Sequence, residues 1–94
     1  METITKVEKE LIPQLSFRKD EVLLNSEEQV RRKVNLAKAL TLGNGQKRKV
    51  KIVFETEHGD RNVVDTTVWA VGQDFITLKA GTLIPIHAIH NIEF

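Results

Sequence analysis

Apolar side chains change their spacing near residue 47, and this change divides the chain into two parts. Before that point they recur at intervals of three and four residues, which is the spacing of one face of an α-helix. The members of this stripe are Val30, Val34, Ala37 and Leu40. The pattern predicts a helix over residues 27–42.

Both ends of the predicted helix carry recognisable signals. Ser26-Glu27-Glu28-Gln29 has the form of a capping box, in which the serine hydroxyl binds an early backbone amide and the glutamine reaches back. The two glutamates also suit the positive end of a helix dipole. Gly43 and Gly45 follow the last apolar position and predict the helix stop.

From Lys47 onward apolar and polar side chains alternate, which indicates β-strands. We predict a first strand starting at Lys47 and four more at residues 62–71, 75–79, 83–86 and 88–94. The turns between the first four strands are His58-Gly59-Asp60, Gly72-Gln73-Asp74 and Ala80-Gly81-Thr82. Five short strands with tight turns form a meander, which buries one face by curling into a small barrel.

The first 25 residues show no clean period. We therefore predict two regions: a loosely structured N-terminal arm at residues 1–25, and a helix-capped small β-barrel domain at residues 26–94. The predicted core consists of Val34, Leu40, Val50, Ile52, Phe54, Val64, Val68, Ile76, Leu78, Ile84, Ile89 and Ile92. Phe75 is expected to pack inward, whereas Trp69 is expected to be exposed.

Composition narrows the class of protein. Ninety-four residues make one domain. The chain has no cysteine, which excludes disulfides and thiolate zinc sites. The N-terminus is too charged for a signal peptide, and no stretch of eighteen apolar residues predicts a membrane span. We expect a cytoplasmic protein that binds no membrane.

No pattern of catalytic or metal-binding residues is present in the sequence. His87 and His90 are three residues apart, so on a strand they point to opposite faces and do not share a metal. His58 and Asp60 belong to one turn. No nucleophile elbow, phosphate loop or dinucleotide fingerprint occurs. We expect a protein that is not an enzyme and needs no cofactor.

The formal net charge of +1 hides a strong asymmetry. Residues 29–54 contain eight basic side chains and no acidic one, between segments of net charge −3 and −4. A block of one sign steers charged partners more than the net charge does.

Three segments of the β-region resemble Sm-like small barrels. KVKIVFETEHGD (residues 49–60) resembles the family's first strand and following turn, and VWAVGQDFITLKAG (68–81) its strand–Gly–Asp–aromatic–strand pattern. IPIHAIHNIEF (84–94) is similar to the closing segment of the Hfq family of bacterial Sm-like RNA chaperones. The resemblance covers residues 27–94. It implies a mainly β fold, with an N-terminal α-helix followed by a five-stranded antiparallel Sm/SH3-like small barrel.

The closing segment also departs from that family. The resemblance places His87 where the family has a histidine that helps bind RNA. Pro85 stands where the family has tyrosine, and Ile86 where it has the lysine that contacts phosphate. The resemblance therefore implies the barrel without the family's nucleotide pocket, and a fold can be shared without the function.

Two functional hypotheses follow from the sequence. The first is a non-enzymatic module that binds RNA or single-stranded DNA, because phosphate contacts dominate nucleic-acid affinity. Its candidate phosphate contacts are Arg31, Arg32, Lys38, Lys47, Arg48, Lys49 and Lys51, and its candidate base contacts are Trp69 and His87. The second is a protein–protein or homo-oligomeric assembly module without nucleic acid, suggested by the apolar residues of the N-terminal arm.

Overall fold

The computed structural model describes residues 4–94. Its helices are α1 (Ser26–Gln46) and three short 3-10 segments at Lys9–Gln14, Lys79–Gly81 and Ile86–Ala88. Its strands are β1 (Ile4–Lys6), β2 (Val50–Glu55), β3 (Arg61–Thr66), β4 (Val68–Val71), β5 (Phe75–Leu78), β6 (Leu83–Pro85) and β7 (Ile89–Glu93). The first three residues of the predicted arm lie outside the described residues.

The strands form two sheets. One has the order β1-β3-β2-β7 and the other the order β4-β5-β6. Among residues 4–94, β1 and β3 pair in parallel and the other paired strands are antiparallel. One helix with a strand-rich remainder agrees with the sequence prediction. The five-stranded barrel does not, since residues 4–94 form seven strands in two sheets that are not closed.

The strand predicted over residues 62–71 is divided between the two sheets. Thr66, at the end of β3, pairs with Val50 of β2, whereas Val68, at the start of β4, pairs with Leu78 of β5. The β-branched residues predict extended backbone correctly. They do not predict where the chain stops pairing with β2 and begins pairing with β5, because that point depends on the positions of those neighbouring strands.

The three predicted turns are confirmed. Two of them rely on glycines with a positive φ, Gly59 at 88° and Gly81 at 84°. Such backbone is accessible to glycine at little cost. Ala80 also has a positive φ, 75°, in the turn between β5 and β6.

The core lies between the sheets and the inner face of α1. All ten strand residues that we predicted in it are buried. Val34 was predicted there wrongly, because its side chain is 61% exposed, and Leu40 is half-buried against the core. Ile12 and Leu36 are core members that the sequence pattern missed.

The helix packs on a different face from the one that the apolar stripe predicted. Its buried residues are Arg32, Leu36, Ala39 and Gly43. Val30 and Val34 point to solvent instead. The inner face was hidden from a hydrophobicity pattern because two of its four members are small and one is charged.

Both ends of α1 also differ from the prediction. The N-cap is Asn25, whose Oδ1 accepts hydrogen bonds from the amides of Glu27 and Glu28. Gly43 lies inside the helix, and a Cβ there would lie 2.2 Å from the carbonyl oxygen of Val68, so this position requires glycine for packing and not as a helix stop. The helix ends instead at Lys47, which adopts a left-handed conformation with φ 53°.

The N-terminal segment is integrated into the fold, in contrast to the loose arm that we predicted. β1 pairs with β3, and Ile12 of the 3-10 segment has no exposed surface. Leu23 is buried as well, and the amide of Val22 donates to the carbonyl of His87. Residues 4–25 therefore pack against the same core as the rest of the chain.

Candidate nucleic-acid interface

Most of the predicted basic block lies on the surface. Arg31, Lys38, Lys47, Arg48, Lys49 and Lys51 are exposed. The neighbours of these side chains differ, however, and the neighbours determine which of the basic groups can bind a phosphate.

Arg32 is a structural residue and has to be removed from the candidate phosphate contacts. Its guanidinium is buried and donates from Nη1 and Nη2 to the two carboxylate oxygens of Glu21, at 2.8 and 2.6 Å. A third bond, from Nη1 to the carbonyl of Ile89, is 2.9 Å long. Burial tends to raise the pKa of Glu21, but the hydrogen bonds from Arg32 and the Leu23 amide outweigh it and leave the pKa lowered.

Two further members of the basic block, Lys51 and Lys38, have neighbours that interact with their charged groups. Lys51 in β2 is directly opposite Asp65 of β3 and Glu93 of β7. Directly opposed residues share one face of a sheet, so the two carboxylates offset the lysine's charge. Lys38 places its ammonium 4.4 Å from the centre of the Phe94 ring, in a cation–π contact.

One cleft collects basic, polar and aromatic side chains. It has a volume of about 520 Å³ and lies where the end of α1 meets β4 and the turn after β5. Its lining residues are Gly43, Asn44, Lys47, Thr67, Trp69 and Lys79.

Backbone contacts hold the walls of this cleft in place. Gly43 brings α1 close to β4, because the absence of a side chain allows contact with the Val68 carbonyl. The amide of Lys79 donates to the carbonyl of Thr67 over 2.9 Å, which ties the turn after β5 to the start of β4. The amide of Lys47 donates to the carbonyl of Gly43 and closes the helix. Three segments distant in sequence therefore meet at one opening.

Trp69 supplies the aromatic surface of the cleft. It is 49% exposed, as the strand pattern predicted. The expectation that Phe75 packs inward was wrong, since that ring is also half exposed. An exposed tryptophan inside a concave site can receive a flat ring such as a nucleobase.

Lys79 is the residue that sequence reasoning missed. It is one of only two basic residues after position 54, so a count of charge blocks passes over it. Its position directly after β5, at the start of the following 3-10 segment, carries no functional signal. Only the fold brings it beside Lys47 and Trp69.

The electrostatics of the cleft depend on these lysines. The C-terminal end of a helix carries partial negative charge and repels anions within about one turn. Lys47 and Lys79 stand at this end and oppose that effect, and the exposed Arg48 and Lys49 follow directly in sequence. No acidic side chain lines the cleft among the residues that the structure describes.

His87 belongs to a different cluster, on the segment before β7. It is not among the residues that line the cleft, and its Nε2 donates to the carbonyl of Arg18 over 2.7 Å. Arg18 in turn donates to Glu55, whose other carboxylate oxygen lies 2.8 Å from His90 Nε2. Burial acts to raise the pKa of Glu55, but the bonds from His90 and Arg18 outweigh it and lower the pKa below its ordinary value.

Residues 4–94 contain no group of three or more His, Cys, Asp or Glu side chains placed to hold a metal ion. Within the same range, no helix has the length and apolar character needed to cross a membrane. No protein-family model, curated protein or solved structure matches the chain.

Proposed function

We propose that the protein binds single-stranded RNA or DNA through the cleft formed by Lys47, Trp69 and Lys79. The observation that carries this proposal is that a half-exposed tryptophan and two lysines line one concave site. A base stacked on an aromatic side chain gains about 1–3 kcal/mol, and adjacent cations neutralise its phosphate.

The chemistry of the cleft favours a single strand over a duplex. A base can stack on Trp69 only when it is free of its neighbours in a helix, as in single strands and loops. Asn44 is exposed at the cleft and adds an amide that can form hydrogen bonds with base edges. Arg48 and Lys49 extend the positive charge along the chain and would contact neighbouring phosphates.

The Sm-like barrel is retained as part of this proposal. If β3 and β4 are regarded as one strand bent at Thr67, the strand order is β7-β2-β3/β4-β5-β6, which follows the expected five-stranded meander. The residues that depart from the family remain unsuited to phosphate: Pro85 is buried and Ile86 packs against the core. The cleft that supports the proposal is lined by no residue of that closing segment.

Intrinsic fluorescence tests the proposal directly, because Trp69 is the only tryptophan of the chain. We expect short oligonucleotides to quench this fluorescence as they bind, with an affinity that falls steeply as salt rises. Heparin, a polyanion without bases, serves as the comparison and should bind without comparable quenching. No binding of RNA or single-stranded DNA at low salt would overturn the proposed function.

A pair of double variants separates the cleft from general charge. K47E/K79E should abolish binding measured by fluorescence anisotropy of labelled RNA. K6E/K19E changes the net charge equally at two exposed lysines outside the cleft, and should retain most of the binding. Equal losses in the two variants would overturn the assignment of the cleft.

A further inference from the structure

The outward positions of β5 form a row of side chains that continues from the cleft. Ile76 and Leu78 are buried, whereas the residues that alternate with them are not. Phe75 is 49% exposed and Thr77 is half-buried. Successive side chains of a strand point to opposite faces, so Phe75, Thr77 and Lys79 share the outer face of the β4-β5-β6 sheet. Because Lys79 lines the cleft, this row leads from the cleft to an exposed aromatic ring.

A bulge in β4 turns Trp69 toward the same face. The pairing of β4 with β5 is shifted between Val68 and Ala70, so Trp69 is the additional residue. The two residues of a bulge oppose one residue of the partner strand, here Thr77. Val68 is buried, whereas Trp69 and Ala70 are both exposed. Trp69 and Phe75 are therefore two exposed aromatic rings on one face of one sheet.

The outward side chains of this sheet are uncharged. They are Trp69, Ala70, Phe75, Thr77 and Leu83. Trp69, Phe75 and Leu83 are each 49% exposed. The positive charge beside this face comes from the cleft, where Lys79 follows β5 and Lys47 ends α1. A polymer of flat rings on a charged backbone matches this arrangement, because its bases can cover the aromatic rings while its phosphates reach the lysines.

The nearest acidic residue in sequence, Asp74, lies at the far edge of the face. The amide of Ile86 donates to the carbonyl of Asp74 over 2.8 Å, which continues the strand pairing by one residue. Strand alternation therefore directs its side chain away from the side of Phe75. A phosphate beyond Phe75 would approach this carboxylate, whereas a phosphate between the two rings lies toward Lys79. The charges thus favour a site that ends at Phe75.

We propose that a second base of the bound single strand stacks on Phe75. This inference rests on the proposed function, because the first base is the one on Trp69. The pairing of β4 with β5 places the Cα atoms of Trp69 and Phe75 about 10 Å apart, at about 3.4 Å per residue and 4.8 Å between strands. Bases in a regular helix are only about 3.4 Å apart along the strand. The two rings therefore select a strand whose bases are splayed apart.

Binding of a short thymidine oligonucleotide, followed by quenching of Trp69 fluorescence, tests the second base. Phe75→Ala should weaken binding about 5- to 100-fold, which is the loss expected for one stacked base. Phe75→Leu keeps an apolar side chain without a ring and should lose nearly as much, whereas Phe75→Tyr should bind like the wild type. The slope of affinity against salt should stay the same in all three variants, because the ring contacts no phosphate.

Leu83→Ala is the matched control, since it truncates an equally exposed side chain on the same face that has no ring. It should leave binding unchanged, and circular dichroism should show that every variant is folded. Wild-type affinity in Phe75→Ala would overturn the second base and leave the cleft intact. Equal losses in Phe75→Ala and Leu83→Ala would overturn stacking in favour of a general apolar contact. Absence of binding by the wild type would overturn the proposed function and this inference together.

Discussion

Glu55 shows how a single side chain connects distant parts of the fold. It is buried at the end of β2 and joins Arg18 of the N-terminal segment to His90 of β7. Arg32 and Glu21 form a second such connection, between α1 and the segment before it. In both places the carboxylate is held in its charged form, because its hydrogen bonds outweigh the cost of burial.

The lowered pKa of Glu55 predicts how stability depends on pH. A carboxyl whose pKa is lower in the folded than in the unfolded protein stabilises the fold above its ordinary pKa. That contribution disappears as the pH falls through the lowered value. Glu55→Gln should therefore reduce the free energy of unfolding by about 1–3 kcal/mol at neutral pH. Urea denaturation at a series of pH values measures the difference.

Glu57→Gln provides the matched control, since Glu57 is exposed two residues further along the chain. The curves for wild type and Glu55→Gln should converge at acidic pH, whereas Glu57→Gln should follow the wild type throughout. A constant difference between wild type and Glu55→Gln at all pH values would show that the carboxylate's charge is not what stabilises the fold.

At the scale of elements, the contact between α1 and β4 determines the shape of the candidate site. Gly43 allows the helix to approach Val68, and this approach forms one wall of the cleft. Gly45 lies two residues later in the same helix, and a Cβ there would meet nothing within 4 Å. The two glycines therefore have different reasons to be present, although both look like helix stops in the sequence.

Substituting each glycine by alanine should change stability in opposite directions. Gly43→Ala places a Cβ against the Val68 carbonyl, so we expect a loss of about 1–3 kcal/mol. Gly45→Ala enters open space and improves helix propensity, which should stabilise the protein by up to about 1 kcal/mol. Guanidinium denaturation followed by Trp69 fluorescence measures both. Equal effects would contradict the close approach at Gly43.

At the scale of the whole molecule, the N-terminal segment links the two sheets. Its 3-10 helix contacts both β3 and β6, which belong to different sheets, and Ile12 lies in the shared core. Phe17 packs on Phe54 with ring centres 5.5 Å apart. This segment therefore contributes to the one hydrophobic core that a chain of 94 residues can build.

Truncation of two neighbouring side chains tests that contribution. Ile12→Ala should destabilise the fold by about 2–5 kcal/mol, as expected for a fully buried aliphatic residue. Leu11→Ala removes a side chain that is 46% exposed and should have a clearly smaller effect. Thermal unfolding monitored by circular dichroism distinguishes them. Similar small losses of stability in both variants would contradict a contribution of this segment to the core and would support the loose arm predicted from the sequence.

Local patterns determined much of this structure in advance. Gly59 and Gly81 supply the turns because their backbone conformations are a property of the residue itself. The alternation from Val50 to Phe54 predicted the buried positions Val50, Ile52 and Phe54, because successive side chains of a strand point to opposite faces. It did not predict that Val53, on the other face, is buried as well. The exposure of Trp69 followed from the same alternation.

Tertiary packing decided what these patterns leave open. The face of α1 that is buried depends on Gly43 meeting β4 and on Arg32 meeting Glu21, and neither partner is adjacent in sequence. The change of pairing at Thr67, from β2 to β5, likewise depends on strands that are distant in sequence. The cleft combines Lys79 with Trp69 for the same reason. A sequence pattern records the preference of each residue, whereas contacts between distant segments follow from which surfaces fit together.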